Sequence, residues 1–126
     1  MRKIVFYCLL GLLAGFLGWP QPTMSVSMSV VTVTAYHPGA YSAGSPRGIT
    51  SSGQRVAEGM LAVSRDVEKG LSLRFGDRVL VHGLGVFEFQ DRMNPRCHKK
   101  VDIYMKSTKK ARAFGVRRYV VVVKMA

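Results

Sequence analysis

FEFQDRMNPRCHKKVDIYM, residues 87–105, has the pattern of a strand, a basic loop and a second strand. One aspartate, Asp91, ends the first strand, and another, Asp102, lies inside the second between a valine and an isoleucine. Successive side chains of a strand face opposite ways, so if those apolar neighbours enter a core, Asp102 faces away from it together with Tyr104. Burying a bare carboxylate costs free energy. This stretch is therefore the first place to look for chemistry.

Residues 1–29 have the pattern of an export signal. A basic pair at positions 2 and 3 precedes an uncharged apolar run, residues 4–19, which is followed by prolines and then by small residues with signal-peptidase spacing. The run is long for a signal core and shorter than the roughly 20 apolar residues of a spanning helix. We expect a cleaved signal, or alternatively an uncleaved anchor. Residues 30–126 then form one exported domain in the periplasm or cell envelope, with membrane contact only through the N-terminal segment.

The charge of the chain indicates an anionic partner. Its 126 residues contain 19 Lys and Arg against 7 Asp and Glu, a net charge of +12. Such an excess attracts polyanions. Nucleic acid is not expected as the partner, because the chain has an export signal and lacks a recognition motif. A cell-wall polymer bearing carboxylates or phosphates fits better, and the alternative is a basic protein with no specific partner.

Alternation and turn residues predict a mainly β fold. Residues 30–36, VVTVTAY, alternate apolar and polar side chains, as a strand does. Further strands are predicted over 60–64, 79–82, 86–90 and 117–125, besides the one that contains Asp102. The unbroken valines of the last strand predict burial on both faces. Many short strands in under a hundred residues indicate a small closed six-stranded β-barrel with one short helix.

Three connecting segments have their own signals. Residues 37–49 are rich in Gly, Pro and Ser and predict a long surface loop. Residues 65–71 are expected to form a turn or a single helical turn. The short helix is predicted over 108–114, with Thr108 as its N-cap and Gly115 as its C-terminal stop.

Neither a metal nor another cofactor is expected. The two cysteines are Cys8, in the apolar run, and Cys97. If the run is removed, Cys97 has no intramolecular partner, so no disulfide framework is indicated. His98 beside Cys97 supplies two of the four ligands that a closed zinc site needs.

Six pieces of the chain, in order, resemble the 3D domain, a family named for three aspartates. The pieces are Thr34-Ala35-Tyr36, Thr50-Ser51-Ser52-Gly53, Leu61-Ala62-Val63, Phe75-Gly76-Asp77-Arg78-Val79, Asp91 with Val101-Asp102-Ile103-Tyr104, and ARAFG at 111–115. The resemblance covers residues 30–125. It implies a double-psi β-barrel, related to membrane-bound lytic transglycosylase A, rare lipoprotein A and the expansins.

One departure affects the first of the three aspartates. Family members commonly place it directly after Ala-Val, where this chain has Ser64. Asp66 follows two residues later and is a candidate third acidic residue. The resemblance leaves open whether Ser64 or Asp66 takes that place, and it leaves Asp91 and Asp102 intact.

The resemblance also implies a catalytic role for Asp102. In the related lytic transglycosylase one aspartate acts as acid and then as base, and it maps to Asp102. Such a carboxyl must be protonated at working pH, and partial burial favours the protonated form. The alternative is a structural aspartate that binds backbone amides or pairs with Lys99, Lys100 or Arg92. Asp91 is expected to assist Asp102, or instead to cap the following loop.

Six further residues are candidates for substrate binding. Thr50, Tyr36 and Tyr104 would line a groove, where Tyr104 could stack on a sugar; alternatively they are ordinary turn and barrel-rim residues. Lys99, Lys100 and Arg92 would hold stem-peptide carboxylates or phosphate; alternatively they form a solvated basic loop.

Two functions are therefore open. One is lytic transglycosylase-like cleavage of peptidoglycan glycan strands at bonds between N-acetylmuramic acid and N-acetylglucosamine. The other is a non-catalytic barrel that binds peptidoglycan or another polysaccharide. Peptidoglycan strands are the expected partner, with other cell-wall proteins as an additional one.

Overall fold

The computed structural model describes residues 18, 20, 22, 25–39 and 48–126, and this part of the chain forms a mainly β fold. The strands are β1 Met28–Tyr36, β2 Met60–Val63, β3 Arg78–Val81, β4 Gly85–Arg92, β5 Lys100–Tyr104 and β6 Arg117–Lys124. The helices are α1 Arg65–Gly70 and α2 Thr108–Phe114. The predicted small β-barrel with a short helix is confirmed.

The strands close into a barrel in the order β1-β5-β2-β4-β3-β6. The β1–β5 and β2–β4 pairs are parallel, and the other four pairs are antiparallel. This mixed arrangement is compatible with a double-psi barrel. Closure pairs both edges of every strand, so no strand is left as an open edge.

The core is made by the inward side chains of the barrel strands. On β1, Val31 and Val33 are buried in this core, and the threonines between and after them are only partly buried. Tyr36, at the end of β1, is also buried, but in a separate cluster. The predicted alternation of this strand is therefore confirmed. The largest fully buried side chains in the described residues are Phe89, Leu61 and Leu71.

Both described helices lie in connections between strands, α1 between β2 and β3 and α2 between β5 and β6. The segment after β2 forms a six-residue helix, α1, where the sequence suggested a turn or one helical turn. Helix α2 has the predicted bounds, but its N-cap is Ser107 rather than Thr108, because the Ser107 side chain accepts the N–H of Lys110. Gly115 ends α2 with φ 68°, as predicted, a conformation that favours glycine.

The prediction that β6 is buried on both faces is wrong. Val122 is fully buried and Val120 packs against the core, but Val121 and Val123 are only partly buried. The described part of the chain places no second layer over their side of the sheet. A continuous apolar run therefore identified the strand without identifying what lies on each face.

Some predictions concern residues that are not described. Most of the expected signal, residues 1–29, lies outside the described residues, and so do residues 40–47 of the predicted 37–49 loop. Among the described residues, no helix has the length and apolarity needed to cross a membrane.

Candidate active site

Asp102 lies in a row of residues that runs across four neighbouring strands. In the β2–β5 pair it is opposite Ala62, and in the β1–β5 pair it is opposite Thr34. Ala62 is in turn opposite Asp91 of β4. We call Asp91, Ala62, Asp102 and Thr34 the carboxylate row. Two strand spacings separate the aspartate Cα atoms, a distance of about 10 Å.

A one-residue irregularity in β4 brings Asp91 into this row. Leu61 is opposite Phe89, but the next residue of β2, Ala62, is opposite Asp91, so Gln90 is an extra residue. Without it, Asp91 would be opposite Val63, whose side chain lies in the core. Insertion of one residue turns the following side chains to the other face of the sheet. The irregularity therefore keeps Asp91 out of the core and beside Ala62.

An apolar cluster shares the outer face of the carboxylate row. It consists of Tyr36, Ala62 and Tyr104, with Val56 and Met93 packed against them. We call it the tyrosine cluster. The Tyr36 and Tyr104 rings meet edge to face with centroids 5.3 Å apart. Both tyrosines are buried, so they provide Asp102 with apolar surroundings rather than an open stacking platform.

Asp102 has the properties of a carboxyl that keeps its proton to a higher pH than an ordinary aspartate does. Burial raises its pKa to about 6, against the opposing effect of the Thr34 hydroxyl, which donates to Oδ1 at 3.0 Å. The charge of Asp91 also raises this pKa, and that of Lys100 lowers it. No basic side chain in the described part of the chain forms an ion pair with Asp102. The lysine or arginine pairing considered from the sequence is therefore not found there.

Asp91 is held by the turn before β2. Its Oδ1 accepts the backbone N–H and the hydroxyl of Ser51, at 2.9 and 2.7 Å, and also the N–H of Arg92 at 2.9 Å. The turn is closed by the Gly53 N–H, which donates to the Thr50 carbonyl at 2.9 Å. Asp91 thus fastens the turn to β4, and its negative charge raises the pKa of Asp102.

Thr50 is buried within the same turn. Its hydroxyl lies 2.8 Å from that of Ser52 and accepts the N–H of Gln54 at 3.3 Å. These bonds occupy the hydroxyl in the turn. Thr50 therefore supports the segment that binds Asp91.

Arg92 is engaged within the protein. Its guanidinium makes a two-pronged ion pair with Glu68 of α1, with a shortest distance of 2.8 Å, which raises the pKa of Arg92. The same group lies over the Phe75 ring, 4.4 Å from its centroid. Arg92 therefore joins α1 to β4. Because its guanidinium is already paired with Glu68, it is poorly placed to bind an anionic ligand.

Lys99 and Lys100 remain exposed at the end of the basic loop. The Lys99 ammonium has one long contact, 3.4 Å to the Ser29 hydroxyl. Lys100 begins β5 two residues before Asp102. Lys100 is therefore available to an anionic group beside the carboxylate row, whereas the Lys99 ammonium lies near the start of β1.

Ser64 and Asp66 hold the backbone of this loop. Ser64 is fully buried, and its hydroxyl accepts the N–H of Lys100 at 3.1 Å. Asp66 accepts the N–H of Lys99 at 2.9 Å. Burial acts to raise the pKa of Asp66, but hydrogen bonds from Ser64 and from the Lys99 and Val67 backbone hold it below its usual value. Both residues lie outside the carboxylate row.

A cleft of about 260 Å³ adjoins the tyrosine cluster. Tyr104 belongs to both, and Glu58, Phe114 and Arg117 are among the other residues that line the cleft. Most of the lining belongs to the inner core, because Ile103 is a core residue and Phe87 and Phe114 pack against that core. The cleft therefore meets the carboxylate row only through Tyr104, which follows Asp102 by two residues on β5.

Three residues of this site were not among the sequence candidates. Thr34 donates the hydrogen bond to Asp102, Ser51 binds Asp91, and Ala62 separates the two aspartates. Thr34 is 68 positions from Asp102 in the chain, and Ser51 is 40 positions from Asp91. Only the resemblance touched these positions, and it assigned them no role.

The described residues contain no group of three or more His, Cys, Asp and Glu arranged to hold a metal ion. Cys97 is a free, partly buried thiol. The chain matches no protein-family model and no curated protein.

Proposed function

We propose that the protein is an exported peptidoglycan-active barrel that cleaves glycan strands as a lytic transglycosylase does, with Asp102 as the single acid and base. The observation that carries the proposal is the state of Asp102, a partly buried carboxyl with a pKa raised to about 6 and no cationic partner among the described residues. Strongly perturbed carboxyls of this kind concentrate at catalytic sites.

The protonated form of Asp102 begins the reaction. It donates its proton to the oxygen of the bond between N-acetylmuramic acid and N-acetylglucosamine, and that bond breaks. The resulting carboxylate then takes a proton from the 6-hydroxyl of the muramic acid as that oxygen bonds to C1. The product is a 1,6-anhydro sugar. The substrate's own hydroxyl replaces the second carboxylate that a hydrolase needs.

The neighbours of Asp102 support this cycle. The Asp91 charge raises the pKa of Asp102, while the Thr34 hydroxyl stabilises the carboxylate once the proton has left. Lys99 and Lys100 would bind carboxylates of the stem peptides.

We also propose that the barrel belongs with the 3D domains. The support is the closed six-stranded mixed barrel together with the order of the sequence pieces that resemble the family. Membership would account for Asp91 and Asp102 on one face. It would also place the protein in the periplasm or cell envelope, beyond the expected signal.

The test compares the protein with Asp102→Asn on purified peptidoglycan sacculi. We expect 1,6-anhydro products by mass spectrometry from the parent protein, and about 10²- to 10⁴-fold less from the variant. Asp77→Asn is the matched control, because Asp77 pairs with Lys124 and lies outside the carboxylate row. Reducing ends in place of anhydro ends would contradict the transglycosylase and indicate a hydrolase with a second carboxylate.

A non-catalytic binding barrel is the second candidate, and one observation favours it. The Asp91 Oδ1 and the Arg92 guanidinium are engaged within the protein, whereas Lys99 and Lys100 are exposed. Such a barrel would pellet with sacculi without releasing any product. Its binding would weaken when both lysines are changed to Gln and would be unaffected by Asp102→Asn.

A further inference from the structure

A second outer face of the barrel is apolar and bare. Across β1, β6, β3 and β4, four outward side chains lie directly opposite one another: Met28, Val123, Leu80 and Val86. A second row adds Val30 opposite Val121. We call these six residues the valine face. Met28 is 61% exposed and Val30 53%.

Leu80 and Val86 are exposed as well, whereas Val121 and Val123 are partly buried. Single exposed apolar residues are ordinary, but a contiguous apolar patch on a small protein marks an interaction site. The valines of β6 have the composition of a strand covered on both sides. Within the described residues the barrel covers only one side.

Tyr119 enlarges the apolar surface at one end. Between the Val31–Val120 and Val33–Arg117 pairs, β6 has one extra residue, and Tyr119 lies in this bulge. It has φ 57° and is 86% exposed. A left-handed conformation is strained for an aromatic residue, and such strain is retained where function requires it. The bulge thus presents a tyrosine ring to the solvent beside the valine face.

Arginines border the valine face. Arg78 is on the outer side of β3, two residues before Leu80, and Arg118 adjoins Tyr119; both are exposed. Glu88 lies opposite Arg78 on β4, but it accepts a hydrogen bond from Gln90, and no acidic side chain in the described part of the chain forms an ion pair with either arginine. Two copies packed face to face would bring these positive charges together, whereas an anionic surface would be complementary to them.

We propose that the valine face is a second membrane contact, which rests on the surface of a bilayer rich in anionic phospholipid. Aliphatic side chains would enter the boundary of the acyl chains, Tyr119 would lie at headgroup level, and the arginines would meet lipid phosphates. If residues 4–19 are retained as an anchor, chain connectivity agrees, because only eight residues, 20–27, separate that apolar run from β1. The contact does not depend on the proposed glycan cleavage.

Vesicle sedimentation tests the proposal with residues 25–126. All six strands and both helices lie within this part, so it retains the whole barrel, and circular dichroism verifies the fold. It also lacks the apolar run, which would bind vesicles by itself. We expect binding to vesicles of phosphatidylglycerol and phosphatidylcholine, weaker binding to phosphatidylcholine alone, and weakening with added salt.

Two variants remove the apolar contact while keeping the strand. Val121→Thr with Val123→Thr retains β-branched side chains, and Tyr119→Asn places in the bulge a residue that tolerates positive φ. We expect each to weaken vesicle binding roughly tenfold. Tyr119→Asn should leave the melting temperature unchanged or higher, an outcome that a purely structural tyrosine would not give. Ile49→Thr, at a partly exposed residue outside the valine face, is the matched control and should bind as the parent does.

Three results would overturn the proposal. The first is no binding to anionic vesicles, and the second is equal weakening by Ile49→Thr. The third is a concentration-dependent dimer in sedimentation that the Val121 and Val123 changes abolish, because a second copy would then cover the face. If residues 25–126 fail to fold, the full chain in the same vesicles supplies the readout. Spin-labelled lipid should then broaden the methyl signals of Val121 and Val123 and spare those of Ile49.

Discussion

The barrel has two outer faces that differ in what lies upon them. The carboxylate row crosses β4, β2, β5 and β1, and the tyrosine cluster packs on the same side. The valine face crosses β1, β6, β3 and β4. Four of its six residues are exposed: Met28, Val30, Leu80 and Val86. The first, covered face carries Asp102, whose pKa is raised to about 6. The second, bare face carries exposed apolar side chains.

This contrast shows that the properties of each face depend on what packs over its side chains, and not on their polarity alone. Asp102 would have an ordinary acidity on an open strand, but the surrounding apolar side chains raise its pKa. Val121 and Val123 would be core residues under a second layer, but in the barrel they are only partly buried. Changes on one face should therefore alter titration, and changes on the other should alter association.

The largest expected effect concerns the covered face and is a change in the free energy of unfolding caused by Asp102. Burial raises the pKa of Asp102 from 3.8 to about 6, so above pH 6 the folded protein must hold a charge in apolar surroundings. That charge costs about 3 kcal/mol at neutral pH and nothing below pH 3.8. The wild type therefore loses stability, relative to Asp102→Asn, as the pH rises through about 4 to 6. Urea unfolding of both proteins at pH 3.5 and pH 7 measures the difference.

The wild type and Asp102→Asn share all their other titratable groups. The difference between their free energies of unfolding therefore reports on Asp102 alone. We expect the advantage of Asp102→Asn to grow by about 3 kcal/mol between the two pH values. An advantage that is the same at both would show that Asp102 titrates in the folded protein as it does in the unfolded chain. The covered face would then offer no special acidity.

Two neighbouring valines sharpen the contrast between core and bare face. Val122→Thr buries a hydroxyl in the core and should reduce the free energy of unfolding by about 1 to 3 kcal/mol. Val123→Thr puts the same hydroxyl on the valine face and should change it by about 0.5 kcal/mol or less. Urea unfolding measures both. Equal losses at the two positions would mean that Val123 is covered in solution.

The smallest expected effect concerns the hydrogen bond that Thr34 donates. Thr34→Val removes a bond that stabilises the Asp102 carboxylate, so the pKa of Asp102 should rise further. In the pH profile of glycan cleavage, the loss of activity on the alkaline side should shift upward by roughly one pH unit. Thr32→Val is the matched control, because Thr32 is on the same face of β1, opposite Lys100, and makes no bond to Asp102. An identical profile for both variants would exclude a role for Thr34 at the site.

Much of the barrel could be predicted from local pattern. The alternation of VVTVTAY predicted which residues of β1 are inward, and the apolar neighbours of Asp102 predicted that it faces away from the core. The N-cap of α2 was misplaced by one residue, because Ser107 and Thr108 are both capping residue types and only backbone geometry distinguishes them.

The register of the strands could not be predicted. Gln90 is the extra residue that brings Asp91 beside Ala62, and nothing in QDR distinguishes a bulge from a regular strand. Thr34 and Ser51 were missed for a related reason. Each binds a carboxylate far away in the chain, and pairing between distant strands depends on the assembled barrel.

The sequence by itself determined where the strands lie and, for β1 and β5, which side chains share a face, because alternation is a local property of an extended backbone. Only the tertiary structure decided what each face meets. Burial of Asp102 and exposure of Val30 both depend on which distant segments pack nearby, and the barrel brings a tyrosine cluster to the first and leaves the second exposed.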